Sequence, residues 1–279
     1  MSGTLYLVAT PIGNLSDLSP RAADTLKQVD FIAAEDTRVT MKLLSHLELK
    51  KPMVSYHEHN KASAGPAVLS RLLSGENCAL VTDAGTPAIS DPGEDLVRLC
   101  AESGVEVQSI PGCCALISAL AVSGLPTGRF VFEGFLPVNR GQRKERLQTL
   151  LGEERTIIFY EAPHKLRGTL EDLHSAFGDR SLALCRELTK LHEETQRTTL
   201  SQAIAYYQDN EPRGEYVLVV SGAAPAAEGA VALEQGVELV LERRARGERM
   251  KDAVRQVAAD TGLARNELYD AALRAAREQ

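Results

Sequence analysis

The chain has 279 residues, a length that corresponds to about two domains at roughly 150 residues per domain. Its composition is 44% hydrophobic and 25% charged, which excludes a disordered chain and a fibrous one. The formal net charge is -7, so an overall electrostatic attraction to nucleic acid or to anionic lipid is excluded. Binding to such a partner requires a local basic patch.

The five cysteines predict neither disulfides nor a zinc site, because two of them, Cys113 and Cys114, are adjacent and no C-x-x-C pair occurs. We interpret them as small buried thiols in a reducing compartment. Residues 1–5 lack the basic segment and the long apolar core of a signal peptide. The most apolar run, residues 113–122, is too short to span a bilayer. We therefore expect a soluble cytoplasmic protein with no membrane partner.

The first part of the chain alternates strand-like and helix-like segments. Consecutive apolar positions, typical of strands buried on both faces of a parallel sheet, occur at 5–9, 31–34, 79–82 and 105–110. Helical segments lie between and beside them, at 20–28, 41–47, 64–74 and 94–103. This order predicts a right-handed, doubly wound α/β domain over residues 1–123.

A second set of strands follows a predicted linker at residues 123–128. Its apolar runs lie at 130–135, 156–160, 182–185 and 216–221, with helices between them, and predict a second α/β domain over residues 129–222. Residues 223–229 have the composition of another linker.

Only helical patterns occur in the last predicted segment, residues 231–279. Ala253, Val254 and Val257 share one helical face, Gly262 marks a tight turn, and a second helix carries Leu268 and further apolar residues. Helix, glycine turn and helix predict a small all-helical, helix-turn-helix segment. Its nine basic and nine acidic residues balance, although several arginines cluster between residues 243 and 255. An αα-hairpin that packs or dimerises is the alternative interpretation.

Ligands of doubly wound domains bind where the strands end. The usual phosphate-binding loops are missing: no G-x-G-x-x-G follows the first strand and no G-x-x-x-x-G-K-[ST] occurs, so a dinucleotide oxidoreductase and a P-loop NTPase are not supported. The densest signal is the loop from Asp83 to Gly93, which contains two glycines, two prolines and two aspartates. Pro111-Gly112 then precedes a helix of small residues whose open amide donors can hold a carboxylate.

These loops, in this order, carry a resemblance to a known family. Residues 9–14, 34–38, 83–93 and 111–112 resemble the tetrapyrrole-methylase superfamily, the class III S-adenosylmethionine-dependent methyltransferases. Within it they are similar to the branch that methylates ribose in small-subunit rRNA. Further matches lie at 133–137, 159–164, 186–190 and 214–215, so the resemblance covers essentially the whole chain. It implies two α/β domains with S-adenosylmethionine in the cleft between them, and a homodimer.

The resemblance also implies which residues bind the cofactor. The methionine part is expected at Thr86 and Ile89, with Cys114 and Ala115 beside it and Ile12 as a wall of the cleft. The residues expected near the adenosine are Tyr160, Leu188, Thr189 and Glu215. Three more positions of the same loops complete the expected binding set: Pro11, Asp83 and Gly85.

The reaction implied by the resemblance is 2′-O-methylation of a decoding-centre cytidine of 16S rRNA, position 1402 in the customary nucleotide numbering. The expected partner is 16S rRNA in the small ribosomal subunit, and DNA is not expected to be one. Two other functions stay open: C-methylation of a tetrapyrrole of the precorrin or uroporphyrinogen type, and a non-enzymatic role in RNA binding or assembly. The helix-turn-helix favours a polynucleotide, because a diffusing macrocycle needs no separate binding module.

Ribose methylation needs a group that accepts the hydroxyl proton. We expect Asp36 or His57 to assist proton removal and Arg38 to position a phosphate, with Glu161 as a further catalytic candidate from the second domain. For Asp36 and Arg38, the alternative is a salt bridge or a helix cap at Thr37. His57 and His59 flank Glu58, but no third and fourth ligands occur at a recognised spacing, so no metal is expected.

Two basic runs are candidate RNA contacts. One comprises Arg140, Arg143, Lys144 and Arg146, and the other extends from Arg243 to Lys251. Solvated helix faces are the alternative for both.

Overall fold

The structure is a computed structural model that describes residues 2–224 and 233–276. The chain forms two compact units, Met1–Ala223 and Ala224–Gln279. Most of the predicted linker at 223–229 lies outside the described residues, as does Arg277 of the predicted helical segment. Both predicted α/β domains lie in the first unit, and their division into 1–123 and 129–222 stays a proposal.

The first sheet consists of five parallel strands in the order β3-β2-β4-β1-β5. The consecutive apolar runs predict four of them and do not include β3. Its strands are β1 (Thr4–Val8), β2 (Phe31–Ala34), β3 (Met53–Ser55), β4 (Cys78–Val81) and β5 (Glu106–Ile110). Three of them, β1, β2 and β4, bury alternate residues in two separate clusters, because successive side chains of a strand point to opposite faces.

Helices cover both faces of this sheet, which confirms the doubly wound arrangement. Helices α1 (Pro20–Gln28) and α2 (Thr37–His46) share one cluster with the sheet, and α3 (Lys61–Leu73) and α4 (Gly93–Glu102) share the other. Leu26 and Leu72 are completely buried in these clusters, and each contributes about 1.5–3 kcal/mol by leaving water. Helix α2 begins four residues before the predicted start at 41, because Asp36 caps it.

Helix α5 (Ala115–Ser123) connects the two sheets. It follows β5, but its buried residues Leu116, Ala119 and Leu120 pack on Ile158 and Val217 of the second sheet. It ends at Gly124, whose φ of 78° is left-handed and favours glycine. The cleft between the sheets therefore lies beside the N-terminus of this helix.

The second sheet has five strands in the order β6-β7-β10-β8-β9 and is mixed, not parallel throughout. Only β6 and β7 are parallel; the other three pairings are antiparallel. Its strands are β6 (Phe130–Phe135), β7 (Thr156–Glu161), β8 (Ser181–Arg186), β9 (Glu194–Thr199) and β10 (Tyr216–Val220). The face opposite α5 packs against α6 (Arg140–Thr149), α7 (Leu166–Phe177) and α8 (Leu200–Asp209). The sequence patterns missed β9.

The described part of the second unit consists of helices α9 (Leu233–Ala245), α10 (Met250–Thr261) and α11 (Arg265–Ala275) around one core. Gly262 ends α10 with a φ of 74°, so the predicted helix-turn-helix is confirmed in α10 and α11. No helix in residues 2–224 or 233–276 is long and apolar enough to cross a membrane.

Candidate active site

The loops singled out in the sequence meet at one edge of the first sheet. Because all five strands are parallel, their carboxyl ends lie at the same edge. The backbone of Thr10, after β1, pairs with that of Gly85, after β4, through two hydrogen bonds of 2.9 and 3.1 Å. Gly85 has a φ of 90°, which favours glycine at this close crossing.

One partly buried acid, Asp91, holds the shape of the loop from Asp83 to Gly93. Both carboxylate oxygens of Asp91 accept hydrogen bonds from the nitrogen of Ala88 at 3.0 Å, and one accepts from Gly93 at 2.6 Å. Burial raises the pKa of Asp91, and its two backbone donors oppose that shift. Ala88 and Ser90 have positive φ values of 67° and 66°, a strain of order 1–3 kcal/mol each that such hydrogen bonds offset.

Two hydrogen bonds join the segments that form the walls of the cleft. The hydroxyl of Thr86 donates to the carbonyl oxygen of Cys113 at 2.9 Å, which connects the Asp83 loop to the segment before α5. The hydroxyl of Tyr160, in the second sheet, accepts from the nitrogen of Leu116 at 3.2 Å. Burial raises the pKa of Tyr160 to about 12, so it stays a neutral phenol.

Between these walls lies a cavity of about 600 Å³. Its apolar lining comes from both sheets and includes Ile12, Ile89, Phe135, Leu188 and Val217. Its charged lining consists of one lysine, Lys190, and six acids: Glu35, Asp83, Asp91, Glu161, Glu187 and Glu215. The cavity therefore favours a cationic ligand with an apolar part.

Most of the expected cofactor residues line this cavity. They are Ile12, Asp83, Gly85, Thr86, Ile89, Cys114, Ala115, Tyr160, Leu188 and Glu215. Pro11 and Thr189 are adjacent in sequence to lining residues but are not among them. The hydroxyl of Thr189 is buried without a hydrogen-bond partner in the described residues, and Thr189 has a φ of 65°. The binding role of the whole set stays a prediction.

Asp36, Arg38 and His57, expected to face the cleft, are not among its lining residues. The Asp36 carboxylate caps α2 at the nitrogen of Arg38 (2.8 Å) and pairs with the Arg38 guanidinium (2.6 Å), which lowers the pKa of Asp36 to about 2. The alternative of a salt bridge and cap is therefore present. His57 lies in the turn before α3, where its backbone nitrogen donates to Oδ1 of Asn60 at 2.8 Å. Its Nδ1 is buried without a partner among the described residues.

Glu161 does line the cavity, but its carboxylate is held by the protein. One oxygen accepts from the hydroxyl of Thr169, and the other accepts from the nitrogen of Ala162 at 2.9 Å. Thr169 also accepts a hydrogen bond from Arg143 at 2.6 Å. Glu161 is 4% exposed, so its position favours holding β7 to α7 over moving a proton.

Sequence reasoning assigned no role to Lys190, which lies inside the matched segment 186–190. Its ammonium nitrogen is 2.9 Å from carboxylate oxygens of both Glu187 and Glu215. This pairing fixes the loop after β8 against the start of β10. A signal was available, because charged residues of the segment 186–190 lie at a predicted strand end, but the sequence does not show which of these charges pair.

The basic run of α6 is only partly open to solvent. Arg143 is partly buried and pairs with Asp172 at 2.6 Å, and Arg146 is exposed but pairs with Glu133 at 2.6 Å. Arg140 and Lys144 are exposed, and no ion pair involves them within the described residues. No group of three or more His, Cys, Asp or Glu in the described ranges is arranged to hold a metal ion. The rings of His57 and His59 lie 6.0 Å apart.

The family model of Tetrapyrrole (Corrin/Porphyrin) Methylases matches residues 4–204, and the model of the RsmI C-terminal HTH domain matches residues 231–276. The chain therefore belongs to the tetrapyrrole methylase family. It is 52% identical to "Ribosomal RNA small subunit methyltransferase I" of Synechocystis sp., over 97% of this chain and 98% of the relative. The protein of the same name from Bacillus subtilis is 45% identical over 96% and 94%. Within the family, the chain belongs with these proteins.

Solved structures share the fold. Uroporphyrin-III C-methyltransferase from Thermus thermophilus, complexed with S-adenyl homocysteine, aligns with a TM-score of 0.54 at 17% identity, over 78% of this chain and 97% of that chain. A conserved hypothetical protein from Aeropyrum pernix K1 aligns with a TM-score of 0.63 at 18% identity, over 89% and 91%. At these identities the likeness concerns the fold alone.

Proposed function

We propose that this protein transfers the methyl group of S-adenosylmethionine to the ribose 2′-hydroxyl of a decoding-centre cytidine of 16S rRNA, position 1402 in the customary numbering. The observation that carries the proposal is the 52% identity, over 97% of the chain, to a protein named for methylation of small-subunit rRNA. The cavity between the two sheets supports it, because its size and charge fit the methyl donor.

The fit to S-adenosylmethionine rests on three properties of the cavity. Its volume of about 600 Å³ lies within the range of roughly 300–1,000 Å³ typical of small-molecule sites. Its six carboxylates complement the positive sulfonium and ammonium groups of the donor. Helix α5 has no side-chain cap, so the N–H group of Ala115 can hold the carboxylate of the methionine part. The cofactor residues expected from the sequence are proposed to bind it here.

When bound, S-adenosylmethionine supplies a methyl group that its positive sulfur already activates. The protein has to align the ribose oxygen with that methyl group and exclude water. The apolar walls formed by Ile12, Ile89 and Leu188 suit the second task. Thr86 and Tyr160 serve the first, since their hydrogen bonds fix the two sides of the cavity relative to each other.

The acidic cavity requires that RNA phosphates bind outside it. Arg38 is a suitable rim residue, because its side chain is 86% exposed and Asp36 holds its guanidinium in place. Arg140 and Lys144 are further candidates, since both are exposed. The same negative charge disfavours an anionic macrocycle, which has to enter the cavity. We propose a homodimer acting in the cytoplasm on the small ribosomal subunit, without a metal.

Two assays test the function. Calorimetry with S-adenosylmethionine is expected to show binding; absence of binding favours a non-enzymatic RNA-binding or assembly factor. Tritiated methyl transfer is then compared between small ribosomal subunits and precorrin-type substrates. Label in the ribose of the decoding-centre cytidine supports the proposal, and label on the macrocycle alone contradicts it.

A further inference from the structure

The cavity acids differ in how the protein engages them. Four of the six accept hydrogen bonds from two donors each: Glu35, Asp91, Glu161 and Glu187. Glu215 is paired with the ammonium group of Lys190. Asp83 accepts a single hydrogen bond, from the backbone nitrogen of Asp36 at 3.0 Å. That bond uses Oδ1, and the described residues provide no donor to Oδ2.

The position of Asp83 suits a group that acts on a substrate. Asp83 lies two residues after the end of β4, lines the cavity and is exposed. It precedes Thr86 and Ile89, where the methionine part of the methyl donor is expected. The backbone N–H group of Asp36 holds Oδ1 of the Asp83 carboxylate and so restricts the orientation of the side chain. Oδ2 stays able to accept a proton.

Partial loss of solvent, together with neighbouring negative charge, makes the Asp83 carboxylate a better proton acceptor than an ordinary aspartate. Loss of solvent raises the pKa of Asp83 most, and the negative charge of Glu35 raises it further. The charge of Asp36 acts in the same direction, while the Asp36 N–H group and the Arg38 guanidinium oppose it. Asp36 is a weaker proton acceptor than an ordinary aspartate, because its pKa is lowered to about 2.

We propose that Asp83 is the catalytic residue that accepts the proton of the ribose 2′-hydroxyl, and that Glu35 positions it. Glu35 accepts hydrogen bonds from the hydroxyl of Thr82 at 2.6 Å and from the backbone nitrogen of Asp83 at 3.3 Å, so it fixes the start of the loop. This inference rests on the proposed ribose methylation. It replaces Asp36 and His57, neither of which lines the cavity.

The step balances with the groups named. The ribose oxygen forms a bond to the methyl carbon while the carbon–sulfur bond breaks and its electron pair stays on sulfur. The hydroxyl proton moves to the Asp83 carboxylate, which later releases it to water. No metal or additional base is needed.

The first test compares Asp83→Asn with Asp24→Asn, an exposed position on α1. Single-turnover transfer of tritiated methyl to small ribosomal subunits is expected to slow by about 10²–10⁴-fold in Asp83→Asn and to stay unchanged in Asp24→Asn. Affinity for S-adenosylmethionine, measured by calorimetry, is expected to fall much less than the transfer rate, because Asp83 is only one of the cavity residues proposed to bind the donor. Full activity of Asp83→Asn overturns the proposal. A variant that binds S-adenosylmethionine weakly but transfers the methyl group at the wild-type rate when the donor is saturating also overturns it. Failure of the wild type to label ribose instead contradicts the proposed function itself.

The second test separates proton transfer from a purely structural role. Asp83 must be ionised to accept a proton, so the wild-type rate falls as the pH drops through its raised pKa. Glu35→Gln removes a like charge and is expected to move this acidic limb to lower pH, because the pKa of Asp83 then falls toward its ordinary value. If Glu35→Gln lowers the rate equally at every pH and the acidic limb keeps its wild-type position, the limb does not report the ionisation of Asp83, and the proposal is overturned.

Discussion

The phenol oxygen of Tyr160, in β7, accepts a 3.2 Å hydrogen bond from the backbone nitrogen of Leu116, in the first turn of α5. This bond joins the second sheet to the helix end that borders the cavity. The ring also packs edge-on against Phe132 and Phe135. The bond therefore adds a directional contact, between groups that are 44 residues apart in the chain, to the apolar packing of α5 on the second sheet.

Tyr160→Phe tests this contact, because it keeps the ring and removes the acceptor. We expect the free energy of unfolding to fall by about 1 kcal/mol, the usual net value of such a bond, and the affinity for S-adenosylmethionine to fall about fivefold. Urea unfolding and calorimetry measure the two effects. Tyr206→Phe, at an exposed ring of α8, is the control and is expected to change neither. Equal behaviour of the two variants contradicts a role for the Tyr160 hydroxyl.

Gly13 allows the loop after β1 to approach the loop after β8. A Cβ atom at Gly13 would lie 2.4 Å from Cγ of Lys190 and 3.1 Å from the carbonyl oxygen of Leu188. Gly13→Ala is therefore expected to displace residues 187–190, to lower the free energy of unfolding by about 1–3 kcal/mol and to weaken donor binding about tenfold. Gly128→Ala is the control, since no atom lies within 4 Å of its Cβ position. Wild-type binding in Gly13→Ala shows that the cleft is not closed by this contact.

The parallel sheet could be predicted because its strands are apolar at consecutive positions, and that topology alone places the matched loops at one edge. Strand β9 was missed because every residue from Glu194 to Thr199 is polar or charged. Its strand conformation depends on pairing with β8 at the edge of the sheet, a long-range interaction that no local pattern reports.

The direction of side chains in the site could not be predicted in the same way. Asp36 and Asp83 each lie just beyond the end of a buried strand, and the sequence gives no reason to prefer one. The difference arises because the N–H groups at the start of α2 capture the Asp36 carboxylate, which leaves Asp83 to line the cavity. A helix cap at this point was one of two alternatives in the sequence, and the start of α2, predicted four residues too late, gave no support to it.

The pairing of Asp36 with Arg38 gives a prediction about pH. The lowered pKa of Asp36, about 2, comes from hydrogen bonds with the Arg38 side chain and backbone, so the ionised form is favoured in the folded protein. Its contribution to stability is present above the ordinary pKa of an aspartate and is lost as the pH falls toward 2. Arg38→Ala is expected to raise the pKa of Asp36 toward 3.8. Carboxyl NMR titration measures it, and an unchanged midpoint contradicts the pairing.

Arg38 also gives a prediction about RNA binding. Asp36 engages its Nε and Nη2, while Nη1 has no acceptor among the described residues and can bind a phosphate. Arg38→Ala is expected to weaken binding to small ribosomal subunits and to reduce the slope of log K against log salt by about 0.7–0.9, with donor affinity unchanged. Asp36→Asn is expected to act in the same direction, more weakly. A variant with unaltered salt dependence shows that Arg38 contacts no phosphate.

In the second unit, charge separates two surfaces of the helical bundle. Residues 243–251, around the turn between α9 and α10, contain five basic residues and one acidic residue. Arg244, Arg249 and Lys251 are exposed there, and no ion pair involves them within the described residues. On α11, the exposed Arg265 and Arg274 are offset by Glu267 and Asp270. The turn between α9 and α10, and not α11, is therefore the expected RNA contact.

Charge reversal in the full-length protein distinguishes these two surfaces. Arg244→Glu combined with Lys251→Glu is expected to weaken binding to small ribosomal subunits more than tenfold, at about 1.4 kcal/mol per factor of ten, and to reduce the salt slope by about two. Arg265→Glu combined with Arg274→Glu is the matched control, because it makes the same charge change on α11. Circular dichroism verifies that both variants keep their helices, since all four positions are exposed and outside the core. Equal losses of binding in the two variants indicate only an effect of net charge. A larger loss of binding in the α11 variant assigns the RNA contact to the second helix of the helix-turn-helix.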